Sequence, residues 1–172
     1  RNAKHAAVAV TKGLVDKFND KEIEAVLSHE IGHVKNKDVL IGTLAATVAG
    51  AISWLAYALF YSGDQKNRNA LSFVLLFVLA PLAAAMIRLS ISRSRELSAD
   101  RTGAMLSNPS DLISALQKIS AHAKAMPLSG NSATSHLFIV NPFSGASLAN
   151  LFSTHPALEV RVARLKSYKE MK

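Results

Sequence analysis

Residues 28–61 read SHEIGHVKNKDVLIGTLAATVAGAISWLAYALFY. Two features follow each other closely here. The first is a pair of histidines around a glutamate, His29-Glu30-x-x-His33; the second is an uncharged run from Val39 to Tyr61, 23 residues long. About 20 apolar residues at 1.5 Å rise each carry a helix across a hydrocarbon core, so the run is long enough to span a bilayer. A second uncharged run, Ala70 to Ile87, has 18 residues. It qualifies when Leu89 and Ile91 extend it and Arg88 reaches back to the interface. Neither run has the polar stripe of a helix with one face in water, which argues against two buried helices of a soluble core.

Between the runs, SGDQKNRN at 62–69 is polar throughout and reads as a tight connection, so the two runs form a helical hairpin. Pro81 interrupts the second helix, a break that membrane helices tolerate well. Both runs are internal and neither has the flanks of a signal peptide. The hairpin returns the chain to the side it left. Lys21, Lys35, Lys37, Arg88, Arg93, Arg95 and Arg101 flank that side, against Lys66 and Arg68 in the loop. By the positive-inside rule the larger parts of the chain face the cytoplasm.

The whole chain, 172 residues with 49% hydrophobic content and a net charge of +8, is long enough for one domain. Its basic residues are not interleaved with aromatics and no nucleic-acid motif occurs, so the expected partners include no nucleic acid. A basic membrane-surface adaptor is the weaker reading of that charge. There is no cysteine, which excludes disulfides, zinc–thiolate sites and thiol nucleophiles. Arg1 is not an initiator methionine, which gives the expectation of a fragment or processed product.

Most of the remaining chain reads as helix. Asn19-Asp20-Lys21-Glu22 is a capping box, and Ile23, Val26, Leu27, Ile31 and Val34 recur at helical spacing after it, predicting an amphipathic helix from 20 to about 36. Gly13 to Phe18 suits a single turn. A helix continues from the second run through SRSRELSADRTGAMLS, another starts at Asn108-Pro109, and a last one carries Val160, Arg161, Arg164 and Leu165. The exceptions are Ala6 to Thr11 and Leu137 to Val140, small and β-branched, which predict two short strands. The first of them would take up substrate by adding it as a further strand, or serve as an internal member of the sheet. The expected fold class is mainly α with a small β-sheet.

Four residues apart on one helix, His29 and His33 lie about 40° apart around the axis, one turn above the other, so both rings can reach one ion. Glu30 points about 100° away from His29 and can stand beside a water on that ion without being a ligand. This is the physical content of H-E-x-x-H in zinc hydrolases. A catalytic zinc takes three protein ligands and keeps an open position. HEIGHVKNKDV lacks a nearby third histidine, so the third ligand comes from elsewhere. Glu96, just after the second apolar run and on the same side of the hairpin, is the best candidate. Asp100, one turn further on, is placed to accept the outer N–H of a ligand histidine. A solvated face paired with Arg93, Arg95 or Arg101 is the competing reading of both acids.

HEIGH at 29–33, ELSAD at 96–100 and STHP at 153–156, with NAKHAAVAVTKGL near the start and HLFIVNPF at 136–143, together resemble the HtpX family. These are bacterial heat-shock membrane zinc metalloproteases, and the wider family also contains the CAAX prenyl proteases. The resemblance runs over essentially the whole chain. It implies a zincin-like catalytic domain interrupted by a transmembrane hairpin: residues 1–38 the first half, 39–91 the hairpin and 92–172 the second half. It implies Zn2+ on His29, His33 and Glu96, Glu30 as general base and acid, and Asp100 behind a ligand. It further implies that His155 and Arg161 stabilise the tetrahedral intermediate. For these two the alternatives are a helix-start residue held by Pro156 and a surface pair with Glu159. The implied activity is a membrane-embedded zinc metalloendopeptidase of the bacterial inner membrane. Its substrates would be misfolded or damaged membrane proteins cut on the cytoplasmic side, in stress response and protein quality control. The family has a further transmembrane hairpin ahead of this region, which this sequence does not contain. A non-catalytic membrane scaffold with a structural or vestigial zinc site is the competing class, with His136 as a spare histidine.

Overall fold

The structure, a computed structural model, describes residues 4–62, 73–125 and 155–170. Its helices are α1 Lys12–Lys17, α2 Asp20–Lys35, α3 Asp38–Ser62, α4 Ala80–Leu106, α5 Pro109–Ala125 and α6 Leu158–Glu170. A π-helical stretch, Val74–Leu79, leads into α4. The chain divides into two compact units, one of Arg1–Val39 with Arg93–Lys172 and one of Leu40–Ser92.

The first unit holds α1, α2, α5, α6 and the last turns of α4. Helix α2 starts where the sequence predicts: the Asn19 side chain accepts from the Glu22 N–H at 2.9 Å and the Glu22 carboxylate accepts from the Asn19 N–H at 3.1 Å. Each bond satisfies a backbone donor that the first turn leaves without a partner. Glu22 does more than cap. It is buried, and its carboxylate accepts from the Ser114 hydroxyl at 2.6 Å and from Lys118 Nζ at 2.8 Å, both on α5. Helix α5 opens with Pro109, whose missing N–H costs nothing in a first turn, while Asn108 Oδ1 accepts from the Ser110 N–H.

Ala25 of α2, Ala104 of α4, Leu112 and Leu116 of α5 and Leu165 of α6 form one buried cluster, with Ile113, Leu158 and Tyr168 packed on it. Each fully buried leucine contributes about 2 kcal/mol of transfer free energy. Small residues draw α2 and α4 together. A Cβ added at Gly32 would lie 3.0 Å from the Ala99 carbonyl oxygen, and one at Gly103 would lie 3.0 Å from both Cα and N of His29. The two backbones therefore meet with no side chain between them.

In the second unit α3 and the helical run Leu76–Leu106 are long and apolar enough to cross a membrane, by length and composition. Their apolar side chains are exposed: Leu44, Val48, Leu55, Met86 and Ile87 are all at least half open, and Trp54 is 69% exposed. Within α3 the Thr47 and Ser53 hydroxyls donate to the carbonyls of Thr43 and Ala49, so these polar groups are satisfied inside their own helix. Phe60 meets Phe77 edge-on at 4.9 Å and Phe73 at 6.1 Å, and Tyr57 meets Phe77 at 6.0 Å, joining the end of α3 to the start of the returning helix. The π stretch lies directly before Pro81. A proline there has no N–H for the Phe77 carbonyl and its ring clashes with it, which a wider turn accommodates.

The expected sheet is the main correction. Among the described residues there is no strand, so their fold is helical rather than mainly α with a small β-sheet, and the sheet expected of a zincin-like frame is absent from them. Ala6 to Thr11 is extended chain without strand pairing, ending at Thr11, which caps α1. Its valines, Val8 and Val10, are exposed. Propensity in a strand comes from packing against neighbouring strands, and none of the described residues supplies one. The second expected strand, 137–140, and the polar loop 62–69 from residue 63 onward lie outside the described residues, as does His136.

Candidate metal centre

Helix α2 carries His29, fully buried, and His33, three-quarters buried, with their rings edge-to-face at 4.8 Å. Helix α4 brings Glu96 to them, beyond its apolar part, which ends near Ser92. One ligand atom from each of His29, His33 and Glu96 lies within 4.8 Å of the others. The two Nε2 atoms are 3.1 Å apart, His29 Nε2 is 3.8 Å from Glu96 Oε2 and His33 Nε2 is 3.5 Å from Glu96 Oε1. Ligands at about 2.0–2.2 Å from a tetrahedral zinc sit about 3.4 Å from one another. The Nε2–Nε2 separation is close to that value, and the two Glu96 distances run to different oxygens of its carboxylate, so the donor set of two imidazoles and a carboxylate suits the ion and either oxygen can close on it.

The outer nitrogens explain why the inner ones converge. His29 Nδ1 lies 3.0 Å from Asp100 Oδ1, and His33 Nδ1 lies 2.6 Å from Asp38 Oδ2. A carboxylate beside Nδ1 favours a proton there, which leaves each neutral ring with its lone pair on Nε2. Two lone pairs and a carboxylate facing one another repel unless a cation stands between them. Charged neighbours shift the titration of two of these groups. Burial pushes His33 down, but Asp38, Glu96 and Glu30 outweigh it and its pKa is raised. Burial pushes Glu96 up, yet His155, His29 and Arg161 together bring it below the usual carboxylate range.

Asp100 is itself clamped. Arg161 of α6, 1% exposed, donates from Nε to Asp100 Oδ2 at 2.8 Å and from Nη2 to Oδ1 at 2.7 Å, a two-pronged bond that fixes the carboxylate plane. Burial raises the Asp100 pKa, but the Arg161 fork and His29 overcome it and bring it to about 2. Arg161 is thus a buried partner of Asp100 and makes no surface pair with Glu159. Its Nη1 also stands 3.9 Å from Glu96 Oε2. His155, three residues before α6 and with little of its side chain exposed, has Nδ1 3.1 Å from Glu96 Oε2. Glu30 is half-buried and its charge acts on both His33 and Arg161.

All seven residues singled out in the sequence, His29, Glu30, His33, Glu96, Asp100, His155 and Arg161, belong to the first unit. Two more contribute that the sequence reading passed over. Asp38 faces His33, and Arg95 Nη1 donates to the Asp38 carbonyl at 2.8 Å. The signal for Asp38 was its position, the first acid after His33 and at the start of the apolar run.

A model of peptidase family M48 matches residues 2–169. The chain belongs to peptidase family M48. Among similar proteins, an HtpX protease homologue of Desulforapulum autotrophicum is 49% identical over 176 residues, covering 96% of this chain and 57% of that protein. Homologues of the same name from Thermococcus kodakarensis and Ralstonia pickettii are 48% and 49% identical, over 99% and 96% of this chain and 62% and 60% of theirs. The chain therefore spans about three-fifths of the length of these M48 relatives. No solved structure matches it.

Proposed function

We propose that this chain carries the active site of a membrane-embedded zinc metalloendopeptidase. The observation that carries the reading is the convergence of His29 Nε2, His33 Nε2 and the Glu96 carboxylate, one ligand atom from each lying within 4.8 Å of the others. Proteins of family M48 are metallopeptidases, which supports it. Zinc bound there supplies a Lewis acid that polarises the scissile carbonyl and acidifies a water.

The side chains do the rest. Glu30, adjacent to the ligand helix face and half-buried, accepts the proton of the attacking water and hands it to the leaving amine. His155, beside Glu96, donates to the oxygen that becomes negative as the carbonyl turns tetrahedral. Arg161 works through Asp100: its two bonds hold the carboxylate that orients His29, and the cation balances the buried negative charge of the ligand set. The order is helix α6 to Asp100 to His29.

The apolar, exposed surfaces of α3 and the returning helix suit a bilayer, and the basic flanks of the hairpin favour placing the first unit on the cytoplasmic side. Substrates are then polypeptides cut near the membrane surface, misfolded or damaged membrane proteins among them, as the HtpX resemblance suggests. The test is cleavage of casein by the purified chain with and without a chelator, comparing wild type with Glu30→Gln. The variant keeps its zinc and loses cleavage by a factor of about 10²–10⁴. Wild-type cleavage in a zinc-loaded Glu30→Gln protein removes Glu30 as the base.

One observation favours a second reading, a non-catalytic scaffold with a closed metal site. His155 Nδ1, at 3.1 Å from Glu96, is near enough to serve as a fourth donor. Under that reading His155→Ala weakens zinc binding as strongly as loss of His29; under the peptidase reading it lowers the turnover rate and leaves zinc in place.

A further inference from the structure

Asp100 has an evident task at His29, and the equivalent question for His33 leads to the junction of α2 and α3. Helix α2 ends at Lys35, with the Asn36 N–H donating to the Gly32 carbonyl at 2.9 Å. The next residue, Lys37, adopts φ 57°, the left-handed conformation that glycine normally supplies, at a cost of about 1–2 kcal/mol. That turn swings the chain so that α3 begins at Asp38 with its carboxylate folded back over the end of α2. Asp38 is 5% exposed, its Oδ2 is 2.6 Å from His33 Nδ1, and Arg95 of α4 holds its carbonyl at 2.8 Å.

We propose that Asp38 is a positioning residue of the metal centre. It fixes the His33 ring with the proton on Nδ1 and Nε2 turned toward His29 and Glu96, as Asp100 does for His29. The inference rests on the metallopeptidase reading and deepens it. It also means that the residue orienting one ligand is the first residue of the first apolar helix, and that Arg95, from the helix returning out of the hairpin, steadies the same residue. An acidic residue in a first helical turn has an ordinary alternative role, favourable interaction with the helix N-terminus. That role accounts for neither the burial of the carboxylate nor its 2.6 Å approach to a histidine, and a substitution separates the two. Asparagine removes the charge from both roles, so the helix-start role predicts a change in stability alone and the positioning role a change at the metal.

The experiment uses the full chain in detergent micelles, with zinc affinity measured by competition against a chromophoric chelator. It compares wild type, Asp38→Asn, Asp38→Ala and Asp38→Glu, with helix content from circular dichroism and the visible spectrum of the cobalt(II)-loaded protein. Loss of an orienting carboxylate weakens metal binding by about 10–100-fold. Asp38→Asn and Asp38→Ala show that loss with unchanged helix content and shifted cobalt bands; Asp38→Glu recovers part of the affinity. On activity, kcat falls and KM stays. Wild-type zinc affinity and an unshifted cobalt spectrum in Asp38→Asn overturn the proposal while leaving the peptidase reading intact. Affinity lost only together with helix content also overturns it, since the role is then structural. A wild-type chain that takes up no zinc overturns both.

Discussion

Gly103 lies against the backbone of His29, so close that a Cβ there would stand 3.0 Å from both the Cα and the N of the histidine. A candidate metal ligand is thereby held by the absence of a side chain on the neighbouring helix. The contact sets how near α4 comes to α2, and with it how far the Glu96 carboxylate reaches toward the two imidazoles. Gly32 does the same one turn along α2, where an added Cβ would meet the Ala99 carbonyl oxygen.

Gly103→Ala therefore forces backbone to move. Helix propensity favours alanine by about 1 kcal/mol, and overpacking against a backbone costs about 1–3 kcal/mol, so the net effect is a loss of stability or none. Zinc affinity is the sharper readout. It falls in Gly103→Ala because the ligand separations open, while Gly13→Ala, where an added Cβ meets nothing within 4 Å, leaves it unchanged. Chelator competition on the two variants measures the difference.

Much of this was open to a reader of the sequence alone. The four-residue spacing of His29 and His33 places both rings on one face of a helix, and the capping box at Asn19 and Glu22 marks where that helix begins. That Glu96 follows the second apolar run hints that it returns beside the histidines. What could not be read is set by tertiary contacts. The Asp38 carboxylate reaches His33 only because Lys37 takes a left-handed turn that no lysine announces. Arg161 finds Asp100 across 61 residues of sequence, and Glu22, a cap by pattern, binds Ser114 and Lys118 on a distant helix. The strand expected at Ala6 to Thr11 failed for a related reason: small and β-branched residues describe an extended chain, and only a partner strand makes it sheet.

Glu22 gives a pH dependence away from the metal centre. Burial raises its pKa, but Lys118, Ser114 and the Asn19 N–H outweigh burial and leave it below the ordinary 4.5. The fold thus favours the ionised form. Its contribution to stability is complete above about 4.5 and is lost as the pH falls through the lowered value. Thermal unfolding followed from pH 7 down to pH 3 shows an acid limb, and Glu22→Gln flattens the part of that limb below about 4.5 while lowering stability at neutral pH. An acid limb unchanged by the substitution would remove Glu22 from this account.

The central claim is that His29, His33 and Glu96 share one ion, and metal analysis of the purified chain tests it most directly. The account predicts one zinc per wild-type chain and none retained through dialysis in Glu96→Ala, with helix content preserved. Full zinc occupancy in a folded Glu96→Ala protein, at the wild-type affinity, would contradict it.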